Sequence, residues 1–369
     1  MIGGHSVRLL ICAGGTGGGV YPALAVHAAL TSRVSEVDTL WVGSEGGMEE
    51  ALVKRRGIAY KSIPSAGLHG VGLATLPRNI KKLARGYFAA RKILNDFKPD
   101  VLFFTGGYVA APMALAGFSV PTLLYVPDIE PGMALKSLAR FSDAIAVTTE
   151  QSQKFFNKKV IKTGYPLRSD LAVWDRETAN RHLSISGGKP VLLVWGGSKG
   201  ARSINTAILK DLNALLEKFE VIHLTGDLDW DHVRHQREQL PMDLAAQYHA
   251  MPYLHEMGAA LAAADLVVSR AGASALGEFP LFGLPAALVP YPYAWRYQKV
   301  NADYLSNRGA AIILEDSRLN EELLETLVVL IDNPNKLQAM RAAMFELSHP
   351  YAAEKIAGLL MELAGEKKS

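Results

Sequence analysis

The sequence predicts an α/β fold of two doubly wound parallel-sheet domains, and three observations carry that expectation. Short apolar runs alternate with amphipathic stretches of helical period, which is the pattern of βαβ units rather than of hairpins. The runs fall into two series, the second starting afresh at Pro190. A length of 369 residues accommodates two domains that each bury a core, and excludes one small domain.

The first series opens with residues 8–13 (RLLICA), an apolar run ending in glycines, followed by a helix over 21–30 with Pro22 in its first turn. Further strands are expected at 39–42 before Gly43, at 101–104 before Gly106 and Gly107, at 122–125 before Pro127, and at 144–147 before a helix start at Thr148-Thr149-Glu150. Residues 162–167 read as a hinge, because Gly164 and Pro166 interrupt regular structure, and a helix over 178–183 follows. The second series places strands at 191–195 before Gly196 and Gly197, at 221–224 before Thr225 and Gly226, at 266–269 before Gly272, and at 286–289 before Pro290. Within 351–364, Ile356, Leu359, Leu360 and Leu363 form a helical stripe that must pack on something. The domains are therefore expected at 1–164 and 165–345, with 346–369 a C-terminal helix packing back on the first. No short-period repeat is present, which excludes a solenoid.

Hydrophobic residues make up 49% of the chain, enough for a folded core and against disorder. No unbroken apolar run reaches the roughly 18 residues of a membrane span. The first ten residues carry Arg8 as their one charge, and the apolar run beyond it ends in glycines rather than a cleavage site, so no secretory signal is expected. The single cysteine, Cys12, cannot form an internal disulfide and reads as a core thiol in a reducing compartment, with the cytoplasm expected.

The net charge of +3 is unevenly divided. Residues 1–168 hold 20 basic and 11 acidic side chains, and residues 169–369 hold 19 and 25. Residues 51–95 contain ten basic side chains and no acidic one, so something anionic is expected on that side. Within that stretch Leu76, Ile80, Leu83, Tyr87 and Phe88 alternate with Arg78, Lys81, Lys82, Arg85, Arg91 and Lys92. The pattern fits a helix at an anionic membrane surface; a core helix with a solvated outer face is the alternative.

Three clusters carry chemistry. Residues 14–19 (GGTGGG) sit between a strand and a helix, where backbone N–H groups and a helix N-terminus make an anion site, or else a tight turn. The dinucleotide pattern GxGxxG fails there, since the sixth residue from Gly15 is Val20 and from Gly17 is Pro22, and the lysine of a P-loop is missing. Residues 196–200 (GGSKG) repeat the device with a hydroxyl and a cation added. The third cluster runs from Ser269-Arg270-Ala271-Gly272 through Ala273, Ser274 and Ala275 to Glu278, Gly283-Leu284-Pro285, Gln298 and Asn301. Its small-residue turn lets backbone N–H groups reach a diphosphate, while a carboxylate one helical turn on takes two ribose hydroxyls, which is nucleotide-sugar chemistry. Read singly, Glu278 is a solvated helix residue, and Gln298 and Asn301 an ordinary helix start.

Together these motifs resemble a known family. Gly14-Gly15-Thr16-Gly17-Gly18 with Pro22-Ala23-Leu24-Ala25, Gly47-Met48-Glu49, Thr105-Gly106-Gly107-Tyr108-Val109, Thr163-Gly164-Tyr165-Pro166-Leu167-Arg168, Gly196-Gly197-Ser198-Lys199-Gly200-Ala201, Thr225-Gly226, Ser269-Arg270-Ala271-Gly272 and Gln298 with Asn301-Ala302 follow the motif order of the MurG family from about residue 7 to 315. Those enzymes move N-acetylglucosamine from UDP-GlcNAc to the undecaprenyl-linked muramyl-pentapeptide of peptidoglycan synthesis. The resemblance implies a glycosyltransferase B fold, two Rossmann-like domains facing across a cleft, with acceptor on the N-terminal and UDP-GlcNAc on the C-terminal domain. It implies donor contacts from Thr16, Gly17, Gly18, Arg168, Ser198, Leu254 (backbone to uracil), Ala273, Ser274, Ala275, Glu278, Gln298 and Asn301. Acceptor contacts fall to Gly14, Gly15, Gly106, Gly107 and Tyr108. Leu76, Ile80, Lys81, Lys82, Leu83, Arg85 and Phe88 form the membrane patch. It implies no metal, no cofactor beyond the UDP-GlcNAc substrate, no nucleic acid, and peripheral attachment to the cytoplasmic face of an anionic membrane.

Two departures bear on catalysis. The family's histidine after the first glycine pair is Gly19 here, and its His-Glu-Gln-Asn run is Tyr125-Val126-Pro127-Asp128, with Glu130 two residues on. An inverting transfer needs an acceptor for the hydroxyl proton. Asp128 is the first candidate, Glu130 the second, and a reaction without a side-chain base the third; both carboxylates also read as caps of the helix that follows. A different lipid acceptor and a nucleotide-sugar-binding scaffold without turnover are the alternative functions.

Overall fold

The computed structural model describes residues 6–14, 17–47, 49–66, 76–293 and 297–366. The chain divides into two compact units, residues 1–167 with 350–369, and residues 168–349. The division falls three residues after the expected 164/165 break, and the second unit extends to His349 rather than 345.

Among the described residues the first unit holds seven strands: β1 (Val7–Cys12), β2 (Val37–Ser44), β3 (Ala59–Ile63), β4 (Val101–Phe104), β5 (Thr122–Val126), β6 (Ala144–Val147) and β7 (Ile161–Lys162). All pair in parallel, in the order β3-β2-β1-β4-β5-β6-β7. The second unit holds β8 (Val191–Trp195), β9 (Glu220–Leu224), β10 (Tyr248–Met251), β11 (Leu266–Ser269), β12 (Ala286–Leu288) and β13 (Ala311–Ile313), in the order β10-β9-β8-β11-β12-β13. Each sheet therefore reverses its strand order once, at β1/β4 and at β8/β11. Ligands of open α/β sheets bind in the crevice beyond the strand carboxyl ends at such a reversal.

The strands read as near-continuous apolar runs because helices cover both faces of each sheet. In β1, Leu9 and Ile11 face the helix Gly17–Thr31 and the returning helix Ala352–Glu366, while Leu10 and Cys12 face the helices Leu76–Phe97 and Ala110–Ala116. Ile356 and Leu360 are fully buried against that first layer, and the Arg33 guanidinium donates to the Glu354 carbonyl at 2.9 Å. In the second unit Leu192 and Val194 pack with the helices Arg202–Lys210 and Leu319–Ile331.

Local expectations needed three corrections. The first helix begins at Gly17, so Pro22 lies inside it rather than in its first turn. The expected helix after β6 is a short 3-10 segment, Glu150–Phe155. The edge strands β3, β7, β10 and β13 had no counterpart in the sequence reading.

Candidate active site

Both order reversals coincide with glycine loops. In the first unit β1 runs into Gly14 and β4 into Thr105-Gly106-Gly107. Gly106 and Gly107 have φ of +131° and +88°, a region that disfavours side chains, and a Cβ on Gly107 would stand 3.0 Å from the Gly14 carbonyl oxygen. The Trp41 indole N–H donates to the Ala13 carbonyl at 2.9 Å, fixing the end of β1. Gly17 and Gly18 open the following helix; Gly15 and Thr16 lie outside the described residues. Tyr108 is exposed beside this loop.

Glu49, for which the sequence motifs imply no role, organises this corner. Glu49 is fully buried, and a Cβ on Gly14 or Gly47 would stand 2.5 or 2.3 Å from its Oε1. The same oxygen accepts from the Ser44 N–H at 2.9 Å. Burial, then the charges of Glu49 and Glu50, push the Tyr60 phenol well above its ordinary range. The one sequence signal was the Gly47-Met48-Glu49 string; the proximity of Gly14 and Gly43 is long-range.

Gly19 is buried against Thr105, whose hydroxyl donates to the Gly19 carbonyl at 2.8 Å. A Cβ there would meet the Thr105 carbonyl and hydroxyl oxygens at 3.3 Å, so a larger side chain requires Thr105 to give way. Beyond β5, the Tyr125 and Thr148 hydroxyls lie 2.7 Å apart, and Thr148 donates to the Pro127 carbonyl at 2.7 Å, pinning the segment that carries Asp128. Burial drives the Tyr125 phenol well above its usual range. Asp128 is half-buried, whereas Glu130 is 8% exposed with Lys136 Nζ 4.0 Å from its Oε1. The N-cap position of the helix Met133–Leu138 is Gly132, which has no side chain of its own to cap with.

In the second unit β8 runs into residues 196–200. Gly197 and Gly200 have φ of +91° and +74°, and a Cβ on Gly200 would sit 1.9 Å from the Thr225 carbonyl oxygen. Ser198 and Lys199 are exposed at the tip. β11 runs into the 3-10 turn Ala273–Leu276, with Ala273 and Ala275 buried and Ser274 half-buried. A Cβ on Gly272 would meet nothing within 4 Å, so the space beside the turn is open. Glu278 starts the helix Glu278–Phe282 one turn beyond Ser274, whose side chain hydrogen-bonds to it. The residue is half-buried as a whole, but its Oε2 is sealed from water and has no hydrogen-bond partner among the described residues. Burial raises this carboxyl to about 7 against the opposing pull of Ser274 and Arg168, with Asp170 adding to the rise. Arg168 Nε lies 3.4 Å from Asp170 Oδ1.

Arg270 braces the turn from beneath. It pairs with Asp316, donates to Ser203 at 2.8 Å and to the Val289 carbonyl at 3.2 Å, and lies over the Tyr291 ring. Gln298 Oε1 accepts from the Tyr291 N–H at 2.8 Å. Asn301 is fully buried, and its amide donates to the Ala271 carbonyl at 3.1 Å, which ties the helix Tyr297–Ser306 to the turn. Leu254 is half-buried just past β10.

The helix Leu76–Phe97 divides the expected membrane patch. Ile80 and Phe88 are 54% and 68% exposed beside exposed Lys81 and Arg85. Leu83, Tyr87 and Lys82 are half-buried, and Gly86 faces inward, where a Cβ would overlap the Pro64 carbonyl. The Leu76 side chain lies outside the described residues. Phe118, just past the neighbouring helix Ala110–Ala116, is also exposed.

Residues 9–147 match the glycosyltransferase family 28 N-terminal domain and residues 191–356 the glycosyltransferase family 28 C-terminal domain. A Roseiflexus sp. (strain RS-1) protein named UDP-N-acetylglucosamine--N-acetylmuramyl-(pentapeptide) pyrophosphoryl-undecaprenol N-acetylglucosamine transferase is 38% identical, over 97% of this chain and 95% of its own. The Halalkalibacterium halodurans protein of the same name is 36% identical, over 97% and 100%. The crystal structure of Acinetobacter baumannii MurG superposes with a TM-score of 0.78 at 25% identity, covering 96% of this chain and 99% of that one. The two parallel-sheet domains are thus those of a glycosyltransferase B fold. With both domain types in order and near-complete overlap with these relatives, the chain belongs to the MurG family of N-acetylglucosaminyltransferases.

Proposed function

We propose that this chain transfers N-acetylglucosamine, with inversion, from UDP-GlcNAc to the undecaprenyl-pyrophosphoryl muramyl-pentapeptide, the second unit holding the donor and the first the acceptor. The carrying observation is Glu278: a buried carboxylate oxygen without a hydrogen-bond partner among the described residues, one helical turn from an open small-residue turn, at the strand reversal of the second sheet. Two ribose hydroxyls satisfy it, which places the diphosphate against the N–H groups of Ala273, Ser274 and Ala275, with Ser198, Lys199 and Arg168 near. Leu254 offers backbone groups to uracil and Gln298 its amide to the sugar.

In the reaction an acceptor hydroxyl oxygen attacks the anomeric carbon, its proton passes to Asp128, and the bond from that carbon to UDP breaks. The negative charge gathers on the departing diphosphate, where prepositioned N–H groups and cations lower the barrier. Those N–H groups with Lys199 and Arg168 supply the positive field, so the reading needs no metal or other cofactor. Gly14, Gly106, Gly107 and Tyr108 line the acceptor side. No described helix is long and apolar enough to cross a membrane, and the reading has the protein attach peripherally at the cytoplasmic face through the Ile80–Phe88 surface.

Sugar-labelled UDP-GlcNAc with the muramyl-pentapeptide lipid tests this. Label should enter that lipid as UDP is released; label that enters only another lipid, or remains in the donor, overturns the reading.

A further inference from the structure

Beneath the loops of the second unit runs a buried polar chain that the mechanism above does not use. Asn205, on the helix Arg202–Lys210, is 2% exposed, and His223, on β9, is fully buried. The Asn205 amide nitrogen donates to the Thr225 carbonyl and to Asp229 Oδ2, both at 2.9 Å. Its two hydrogens are thereby committed, so Oδ1 faces His223 Nε2 at 3.0 Å as an acceptor. His223 carries its proton on Nε2, and Nδ1 accepts from the Tyr248 hydroxyl at 2.7 Å. Burial pushes the imidazole down to about 3, so it stays neutral at any working pH. At the other end Arg202 Nε donates to Asp229 Oδ1 at 2.9 Å.

The backbone this chain grips is shared by two parts of the donor site. A Cβ on Gly200 would strike the Thr225 carbonyl oxygen at 1.9 Å, and one on Gly226 would lie 2.4 Å from the Lys199 carbonyl oxygen, so Lys199 and Gly200 rest directly on Thr225-Gly226. From the same two residues, the Thr225 and Gly226 N–H groups donate to the Met251 and Pro252 carbonyls, each at 3.0 Å, two residues short of Leu254. A shift of Thr225 therefore moves the diphosphate loop and the uracil segment together.

We propose that Asn205 is a positioning residue for the nucleotide sugar, fixing through the Thr225 carbonyl the seat of both loops, with neutral His223 locking its amide in the required orientation. The proposal rests on the reading of the second unit as the donor site. Its action is on binding, because the chain touches no reacting atom.

Calorimetric titration of the full-length protein with UDP tests it. Asn205→Ala should raise Kd about tenfold, the loss of one buried hydrogen bond's worth of positioning. The KM for UDP-GlcNAc should rise with it while that for the acceptor stays unchanged. Asn205→Leu, which keeps the branching and the number of side-chain heavy atoms, provides the same reading should the alanine variant fail to fold. Tyr248→Phe removes the hydroxyl at the far end but keeps the bond to Thr225, and should lower Tm while leaving Kd within about twofold. A folded Asn205 variant that binds UDP within about twofold of the parent overturns the proposal, as does Tyr248→Phe weakening UDP as much as Asn205→Ala, since the loss then tracks stability alone. If Glu278→Ala also leaves UDP binding unchanged, the donor reading fails with it; if Glu278→Ala weakens binding, only the role of Asn205 is refuted.

Discussion

Burial outweighs Ser274 and Arg168 at Glu278, so this carboxyl loses its proton near pH 7 in the free protein instead of near 4.5. The ionised form is the better acceptor for two ribose hydroxyls. UDP should therefore bind about tenfold more weakly at pH 6 than at pH 8, because only about a tenth of the carboxyl is ionised at the lower value. Glu278→Gln should bind weakly and show a flat profile; an equally steep profile in that variant would assign the titration elsewhere. For stability the sign is opposite: the contribution of the raised carboxyl is full below about pH 4.5 and is lost as pH rises through about 7. Asp128 is separable from donor binding. Asp128→Asn should slow transfer on the order of 100-fold or more with UDP affinity unchanged, and a rate within about threefold of the parent would leave substrate or water as the base. Glu130, buried beside Lys136, should give a stability loss rather than this kinetic signature when neutralised. Glu278 and Ser274 were legible in the sequence because their contact spans one helical turn. Glu49 and the bracing role of Asn301 were not, because Gly14 and Ala271 reach them only through the folded chain.

At the level of elements, the strands the sequence revealed and those it concealed differ by position in the sheet. β1, β2, β4, β5 and β6 in the first unit and β8, β9, β11 and β12 in the second are interior, and burial on both faces gives each of them a largely apolar stretch. β3, β7, β10 and β13 are the four sheet edges. β3 reads AYKSI and is mostly exposed, and β7 is two residues long, so neither requires an apolar run to be stable. The helix Leu76–Phe97 shows the same logic: inward Ala90, Ile93 and Leu94 explain its apolar stripe, whereas Ile80 and Phe88 have no such explanation. With Lys81, Lys82 and Arg85 around them, the full-length protein should sediment with anionic but not neutral vesicles, and added salt should weaken this. Reversing those three charges to Glu should reduce partitioning on the order of 100-fold, at roughly 1 kcal/mol per cation. Equal sedimentation of parent and triple variant would remove this helix from the membrane surface.

Across the whole molecule the charge imbalance of the sequence maps onto the two units, the basic excess on the one read as meeting lipid and the acidic excess on the one read as holding the donor. The chain also leaves the first unit at Leu167 and re-enters it at Pro350, so the second unit is an insertion within the first. That connectivity imposes an order on biosynthesis. A ribosome releases residues 168–349 in full before the helix Ala352–Glu366 emerges, and until then Leu24, Val26 and Leu30 of the helix Gly17–Thr31 lack the layer that buries Ile356 and Leu360 against them. Nascent chains arrested with residue 350 just outside the exit tunnel should yield a protease-resistant second unit and a first unit that is still cut, with resistance appearing once residue 366 has cleared. An equally resistant first unit at the earlier arrest point would mean that the closing helix is dispensable. The helix Ala352–Glu366 is thus a latch made only after the neighbouring unit, and a premature stop just before it would disarm the unit that holds residues 1–167 rather than its neighbour.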